Sequence, residues 1–271
     1  MRQFKLAFTN LACPAWPIDR VASEAARLGY DGVELRLLDG EVIDPMRERQ
    51  SLSAAVAVCR AQAIEVCAFD TSCCFNLTGT EQTRQIEELR RWIDRANVLD
   101  VPVVRIFGGP DEPGSSEGDA TARVADALAE VAPEAAQAGV TVALETHDAF
   151  SSARRVVEVL DRVPAPGVGA LWDSHHPYGV GESADEVARL LAGRLVHVHV
   201  KDARRTPDGG WDLVLLGEGD VPVAEQLRVL DRVGYDGYVS VEWEKRWHPE
   251  IAEPEIALPQ HIAQLRQWMG T

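Results

Sequence analysis

Positive charge is scarce in this sequence. Its 271 residues include 27 Lys and Arg against 43 Asp and Glu, for a formal net charge of −16, and the isoelectric point is about 4.8. Proteins that bind nucleic acids need Lys and Arg to displace the counterions around the phosphates. The charge balance therefore disfavours nucleic acid as a partner.

Long apolar runs are also missing. No stretch of the chain approaches the roughly 20 apolar residues that a helix needs to cross a bilayer. The first residues, MRQFKLAFTNLACPAW, have neither the long apolar core nor the small-residue cleavage site of a signal peptide. We expect a cytoplasmic protein with no membrane partner.

Cysteine is absent after residue 74. The five cysteines are Cys13, Cys59, Cys67, Cys73 and Cys74, and none has CxxC spacing. An odd number without paired spacing, in a chain expected inside the cell, predicts reduced thiols rather than disulfides or a thiolate zinc site.

Short β-branched apolar runs alternate along the chain with segments of helical periodicity. The predicted strands are 4–12, 32–37, 64–70, 101–107, 140–148, 167–176, 195–202 and 238–244. The predicted helices are 19–29, 45–63, 80–99, 121–139, 151–163, 183–192, 223–233 and 255–269. Eight units in strict alternation predict an α/β fold, a single (β/α)8 TIM-barrel domain over residues 1–271. An open doubly wound sheet is the alternative, although the first strand-to-helix turn lacks a GxGxxG phosphate loop.

The four strands of the second half each end in a group that binds hard metal ions. These groups are Glu145, Asp173, His199 and Glu242. Functional side chains of a barrel gather at the C-terminal ends of its strands, so the four are candidates for one site. Oxygen-rich ligation with one imidazole suits Mn²⁺, Mg²⁺ or Co²⁺, and Zn²⁺ is not excluded.

Strand alternation adds neighbours to these candidates. Side chains two residues apart share a face of a strand, so His147 accompanies Glu145, and Glu34 accompanies Arg36 at the end of the second strand. Lys201 is either a group that acts on the substrate or the partner of Asp202 or another acid. For Arg105 we favour a structural ion pair, because paired charges near barrel ends are usually structural.

The second half resembles the sugar phosphate isomerase/epimerase superfamily, the xylose-isomerase-like barrels that include ketose 3-epimerases, hydroxypyruvate isomerase and inosose dehydratase. The metal-binding Glu of that family matches Glu145, its D-x-x-H matches Asp173 to His176, its H-x-H matches His197 to His199, and its final Glu matches Glu242. The resemblance implies that Glu145, Asp173, His199 and Glu242 hold one divalent ion per chain, with Mn²⁺ the first choice. It also implies that His176 and Arg205 contact the substrate and that the chain forms a homo-oligomer, a dimer or tetramer.

The activity that this resemblance implies is isomerisation or epimerisation of a hydroxy-ketone, a ketose or related polyol carbonyl compound. Glu145 and Glu242 would move protons through an enediolate. One position departs from the ketose 3-epimerases: Ser151 stands where they carry a second, substrate-contacting Glu. A dehydratase or other lyase acting on a keto-cyclitol, or a non-catalytic barrel subunit, is therefore the alternative. A nuclease related to endonuclease IV would need several more His on early strands.

Overall fold

Eight parallel strands close into one ring in the computed structural model, which describes residues 4–45, 49–111, 114–163 and 166–270. The strands are β1 (Lys5–Thr9), β2 (Gly32–Leu35), β3 (Glu65–Cys74), β4 (Val103–Phe107), β5 (Thr141–Glu145), β6 (Val168–Asp173), β7 (Leu195–Val200) and β8 (Tyr238–Val241). Each strand pairs with its neighbours in sequence, and β1 pairs with β8. The predicted (β/α)8 barrel is confirmed, and the open-sheet alternative is wrong.

Helices cover the outside of this ring, except for one short helix that follows β6 at the carboxyl end of the strands. They are α1 (Ile18–Leu28), α2 (Arg49–Ala61), α3 (Gly79–Val98), α4 (Glu117–Ala138), α5 (Ala153–Leu160), α6 (His176–Gly179), α7 (Ala184–Leu191), α8 (Val223–Val233) and α9 (Pro254–Met269). On α3 the buried apolar side chains recur at helical spacing, from Ile86 through Leu89 to Ile93. α1 ends at Gly29, whose φ of +83° suits a residue without a Cβ atom. No helix of the described residues is long and apolar enough to cross a membrane.

Several strands end earlier than the sequence predicted, for local reasons. β1 stops at Thr9, whose hydroxyl accepts the Leu11 amide and starts a 3-10 turn over Asn10–Ala12. β6 stops at Asp173 because its carboxylate accepts the next amides and turns the chain into α6. β3 is longer than predicted and continues to Cys74.

The loops that follow β2 and β7 each contain a hairpin that the sequence did not predict. One pairs Leu37–Leu38 with Glu41–Val42, and the other pairs Asp202–Arg205 with Trp211–Val214. Together with the short helix α6 they form a rim around the carboxyl ends of the strands. The strict alternation of eight strands and eight helices is thus wrong in detail, because short elements have no recognisable periodicity.

Apolar side chains fill two separate spaces. The larger core lies between the strands and the helices and contains Trp92, Trp172 and Trp243. A small cluster of Ala68, Val103, Ala143 and Leu171 lies inside the ring, each residue two positions before a polar residue on the same strand face. The barrel is therefore apolar in its middle and polar at its carboxyl end. All five cysteine thiols are free, as predicted.

Candidate metal centre and active site

The four predicted metal ligands meet at the carboxyl end of the barrel. Glu145 and Asp173 are the last residues of β5 and β6, His199 lies in β7, and Glu242 directly follows β8. All four are buried, and one ligand atom of each lies within 4.8 Å of the others. Four adjacent strands thus bring together residues that are up to 97 positions apart in sequence.

The turn after β6 fixes the carboxylate of Asp173. Its Oδ1 accepts the amides of His175 at 2.7 Å and His176 at 3.1 Å. Its Oδ2 is buried and makes no hydrogen bond with the described residues. One oxygen is therefore held by the backbone, and the other lies 3.1 Å from the Lys201 ammonium.

His199 is held between carboxylates on both sides of its ring. Its Nδ1 lies 3.0 Å from Glu145 Oε1 and 3.5 Å from Glu242 Oε1. Its Nε2 lies 2.9 Å from Oε2 of Glu34, on the opposite side of the barrel. Burial acts to lower the pKa of His199, but these three carboxylates together raise it well above its usual value. Nδ1 is therefore the ring atom that faces the other candidate ligands.

Glu34 connects two imidazoles beneath the four ligands. It is fully buried, and its Oε1 lies 3.1 Å from Nε2 of His197. The sequence placed Glu34 on the mouth-facing side of β2 but assigned it no role. A carboxylate that accepts the second N–H of a ligating imidazole fixes the orientation and tautomer of that ring.

Arg105 lies inside the barrel beside this acidic cluster. Its Nε is 3.3 Å from Glu145 Oε2 and 3.9 Å from Asp70 Oδ1. Burial acts to raise the pKa of Glu145, yet Arg105 is the main cause of its net lowering. At Asp70 burial and the neighbouring Glu34 instead raise the pKa well above its usual value. The ion pair predicted for Arg105 is present, and it stabilises the charged form of Glu145.

Lys201 brings a second cation to the site. Its Nζ lies 2.7 Å from Glu242 Oε2, 2.7 Å from Glu244 Oε1 and 3.1 Å from Asp173 Oδ2. The pairing with Asp202, which the sequence left open, does not form. The Asp202 carboxylate instead accepts four backbone amides, those of Ala203, Gly217, Gly219 and Val221. Lys201 therefore belongs to the polar site and Asp202 to the rim.

A second layer of side chains lies above the ligands, at or just after the ends of β4 to β7. The Phe107 ring lies 4.1 Å from the Arg105 guanidinium and 4.7 Å from the His147 ring, which is tilted by 49° against it. His147 in turn lies 4.5 Å from the ring of His176, whose Nε2 is 3.3 Å from Lys201 Nζ. Burial, together with Lys201 and His147, lowers the pKa of His176 well below its usual value. His176 is thus a neutral imidazole at the mouth, where the sequence expected a substrate contact.

Arg205 and Ser151 lie further out. Arg205 is exposed on the second hairpin, with its guanidinium 5.3 Å from the Trp211 ring. Trp211 contacts His175 at 4.8 Å, which places this pair on the rim near His176. The Ser151 hydroxyl donates to the carbonyl of Asp148 at 2.7 Å. Contact between Arg205 and a substrate stays a prediction.

The donor set fits a divalent cation. Three carboxylates and one imidazole converge. Two of the carboxylate oxygens, Glu145 Oε2 and Asp173 Oδ2, are buried without a hydrogen bond to the described residues and are balanced by the Arg105 and Lys201 cations at 3.3 and 3.1 Å. Buried charge is costly unless it is paired or coordinates a metal. Oxygen donors with one nitrogen donor suit Mn²⁺, Mg²⁺ and Co²⁺, and the same set accommodates Zn²⁺.

A cleft of about 610 Å³ lies among the loops at this end of the barrel. Its walls come from the loops after β1, β2 and β8 and include Trp16, Gly40 and Lys245. The cleft adjoins the side of the mouth that faces away from β5 and β6. None of the four candidate ligands lines it.

Comparison with known proteins agrees with this geometry. Fructoselysine 3-epimerase of Shigella flexneri is 25% identical over 239 residues, covering 83% of this chain and 85% of that protein. Inosose isomerase of Bacillus licheniformis is 25% identical over 225 residues, covering 79% of each chain. The crystal structure of the IOLI protein with a bound zinc atom superimposes with a TM-score of 0.82 at 20% identity, covering 98% of both chains.

The first two relatives are an epimerase and an isomerase, in agreement with the family resemblance of the sequence. The family model described as the xylose isomerase-like TIM barrel matches residues 22–269, which include the four predicted metal ligands and the predicted substrate contacts His176, Lys201 and Arg205. This chain belongs to the xylose isomerase-like TIM barrel family.

Proposed function

We propose that the protein is a divalent-metal-dependent isomerase or epimerase of a hydroxy-ketone, a ketose or related polyol carbonyl compound. The observation that carries the proposal is the convergence of Glu145, Asp173, His199 and Glu242 within 4.8 Å of one another in a buried site. The names of the two relatives, a 3-epimerase and an inosose isomerase, support the reaction type. The zinc atom of the IOLI protein supports a metal in this fold.

A divalent ion held by these residues would act as a Lewis acid, making the C–H next to a substrate carbonyl more acidic. Our first choice is one Mn²⁺ per chain, because oxygen donors dominate the set. The protein's own residues must then remove and return the proton. Glu145 and Glu242 are the two groups placed to do so, since they approach His199 from β5 and β8.

Both carboxylates are in the base form. Burial opposes ionisation, but Lys201 and His199 lower the pKa of Glu242 well below its usual value. Arg105 lowers the pKa of Glu145. If one glutamate removes a proton and the other returns it to the opposite face of the same carbon, the outcome is epimerisation. Return to the neighbouring carbon gives isomerisation. General acid–base catalysis of this kind contributes about 10²- to 10⁴-fold in rate.

Lys201 and His176 are placed to orient substrate oxygens. Nearby acids raise the pKa of Lys201 well above its usual value despite its burial, so it is a charged donor. His176 is neutral and can donate or accept one hydrogen bond. The same pair lies where a leaving hydroxyl could be stabilised, which is the observation that favours a dehydratase as the second candidate. Arg205 would contact the substrate from the rim.

The proposal is tested by hydrogen exchange in D₂O. Mn²⁺-loaded protein is incubated with ketoses, their phosphates and inosose, and each is followed by NMR. Deuterium entering a carbon next to the carbonyl supports proton transfer, and the product identifies epimerisation, isomerisation or dehydration. Absence of exchange with every compound contradicts the proposal for these substrate classes.

A pair of variants tests whether the predicted ligands hold the metal. Glu242→Gln removes a candidate ligand, and we expect metal content measured by mass spectrometry to fall from about one ion per chain to a small fraction. Glu244→Gln is the matched control, since Glu244 lies two residues further and contacts Lys201 rather than the ligand cluster. Equal metal binding by both variants and by the unmodified protein would show that the metal is not bound here.

A further inference from the structure

Arg36 is a buried cation on the side of the mouth away from the candidate ligands. It lies two residues beyond Glu34 on the same face of β2, and it is 8% exposed. Its Nη1 donates to the carbonyl oxygen of Asp70 at 2.8 Å and to Ser72 Oγ at 2.9 Å. One nitrogen of the guanidinium is thus fixed by β3, and the side chain is oriented before any ligand arrives.

The acceptors of Arg36 carry no charge. Within the described residues Arg36 makes no ion pair with an Asp or Glu, whereas Arg105 and Lys201 each make several. A guanidinium removed from water without an anionic partner is costly. Burial and the nearby Arg105 lower the pKa of Arg36 to about 10, so it remains charged at neutral pH. The site therefore holds one cation whose charge no described carboxylate contacts.

The ring of strands places Arg36 opposite the ligands. β2 and β3 lie on one side of the barrel, and the ligands come from β5 to β8 on the other. A short series of contacts nevertheless links Arg36 to the ligands. The carbonyl of Asp70 accepts from Arg36, the Asp70 carboxylate lies 3.9 Å from Arg105, and Arg105 lies 3.3 Å from Glu145. Ser72, its exposed neighbour, shows that this side opens to solvent.

We propose that Arg36, together with the Ser72 hydroxyl, binds an anionic oxygen group at the end of the substrate remote from the metal. The substrate is then an acidic hydroxy-ketone, a sugar acid or sugar phosphate, rather than a neutral ketose. This inference rests on the proposed function, because the other end of the substrate is the one that the metal and the two glutamates hold. A guanidinium hydrogen bond to an anion is among the stronger polar contacts available in proteins.

The test measures binding rather than turnover. Isothermal titration of Mn²⁺-loaded protein compares D-fructose with D-fructuronate and D-tagatose with D-tagaturonate, pairs that differ only in whether C6 is a hydroxymethyl group or a carboxylate. D-Fructose 6-phosphate distinguishes a phosphate from a carboxylate as the preferred anion. We expect at least one anionic ligand to bind about tenfold or more tightly than its neutral partner.

Three variants assign that preference. Arg36→Met keeps most of the side-chain length but removes the charge, and we expect it to abolish the preference while leaving the weaker binding of the neutral ketose within about twofold. Arg36→Lys keeps the charge and should retain part of the preference. Arg90→Met, which removes an arginine that pairs with Glu130 and Glu134 on the outside of the barrel, controls for net charge. Thermal unfolding and metal content verify that each variant is folded and loaded.

The outcomes separate this inference from the proposed function. Equal affinity for the anionic and neutral members of every pair, including no measurable binding by either, would overturn it. A preference that survives in Arg36→Met would also overturn it, since the anion would then bind the metal instead. Deuterium exchange with neutral ketoses alone would support the proposed function and refute the anionic substrate. Arg36-dependent binding of an acid without exchange would support the binding site and count against the reaction.

Discussion

Replacing Glu34 by Gln should weaken metal binding although Glu34 is not itself one of the four predicted ligands. In the protein the carboxylate lies 2.9 Å from His199 Nε2 and 3.1 Å from His197 Nε2. Its Oε2 is hydrogen-bonded to His199 Nε2, and its Oε1 is in ion-pair contact with His197 without hydrogen-bond geometry. With the proton of His199 on Nε2, the lone pair of Nδ1 faces Glu145 and Glu242.

Glutamine keeps the shape of this side chain but has only one acceptor oxygen. Its NH₂ group must face one of the two imidazole nitrogens, so at least one ring loses its acceptor or changes tautomer. If that ring is His199, its proton moves to Nδ1 and blocks the ligand atom. Loss of such an oriented partner costs about 10- to 100-fold in metal affinity, which corresponds to about 1.4 to 2.7 kcal/mol.

The assay is a competition titration of Mn²⁺ and Co²⁺ against a chelating dye. Glu65→Gln is the control, because Glu65 is the first residue of β3, at the end of the barrel away from the ligands, and forms an exposed pair with Lys5. An affinity of Glu34→Gln within twofold of the unmodified protein, with thermal unfolding showing a folded variant, would refute the orienting role. Equal weakening by Glu65→Gln would show that the loss is not specific to the buried carboxylate.

Three further predictions concern the rest of the site and its support. Lys201→Met removes the ammonium that contacts Asp173 and Glu242. The affinity for Mn²⁺ measured by calorimetry should not fall, whereas deuterium exchange should slow at least about tenfold. Loss of both metal affinity and exchange would contradict a separate role of Lys201 in substrate binding. Burial lowers the pKa of His261 to about 3, against about 6.5 in the unfolded chain. Protonation therefore favours the unfolded chain, and the protein loses stability as the pH falls from 6.5 towards 3. Between pH 7 and 5.5 this costs about 1 kcal/mol of unfolding free energy, and urea unfolding of His261→Leu should show a smaller loss over that interval. Asp202→Ala leaves four rim amides without their acceptor and should cost about 3 kcal/mol or more in urea unfolding, whereas Asp202→Asn, which retains one acceptor oxygen, should cost less.

Much of the barrel could be predicted because each strand has a local pattern of its own. Runs such as LVHVHV have a period of two, and that period alone places His197 and His199 on one face. The order of strands in a parallel barrel then follows the order in sequence, so the acids at successive strand ends had to become neighbours. The sequence alone therefore identified one group of four residues, namely Glu145, Asp173, His199 and Glu242.

The supporting contacts could not be predicted in the same way. Glu34 reaches His199 across the inside of the ring, and nothing in the sequence around either residue shows how far apart the two side chains lie. Asp202 directly follows Lys201, but the rim hairpin engages its carboxylate with backbone amides. Lys201 pairs instead with Asp173, Glu242 and Glu244, which are distant in sequence. These contacts depend on barrel closure and on side-chain length rather than on periodicity.

The pairing of β1 with β8 has a consequence for how the protein is made. Lys5 pairs with Tyr238, so the two strands that close the ring come from nearly opposite ends of the described chain. Contacts this distant in sequence form slowly and late, because a long loop must close first. Until β8 emerges during synthesis, β1 and β7 each expose an unpaired edge that invites association with other strands. Glu242 directly follows that closing strand, so the predicted metal site is complete only in chains that have closed the ring.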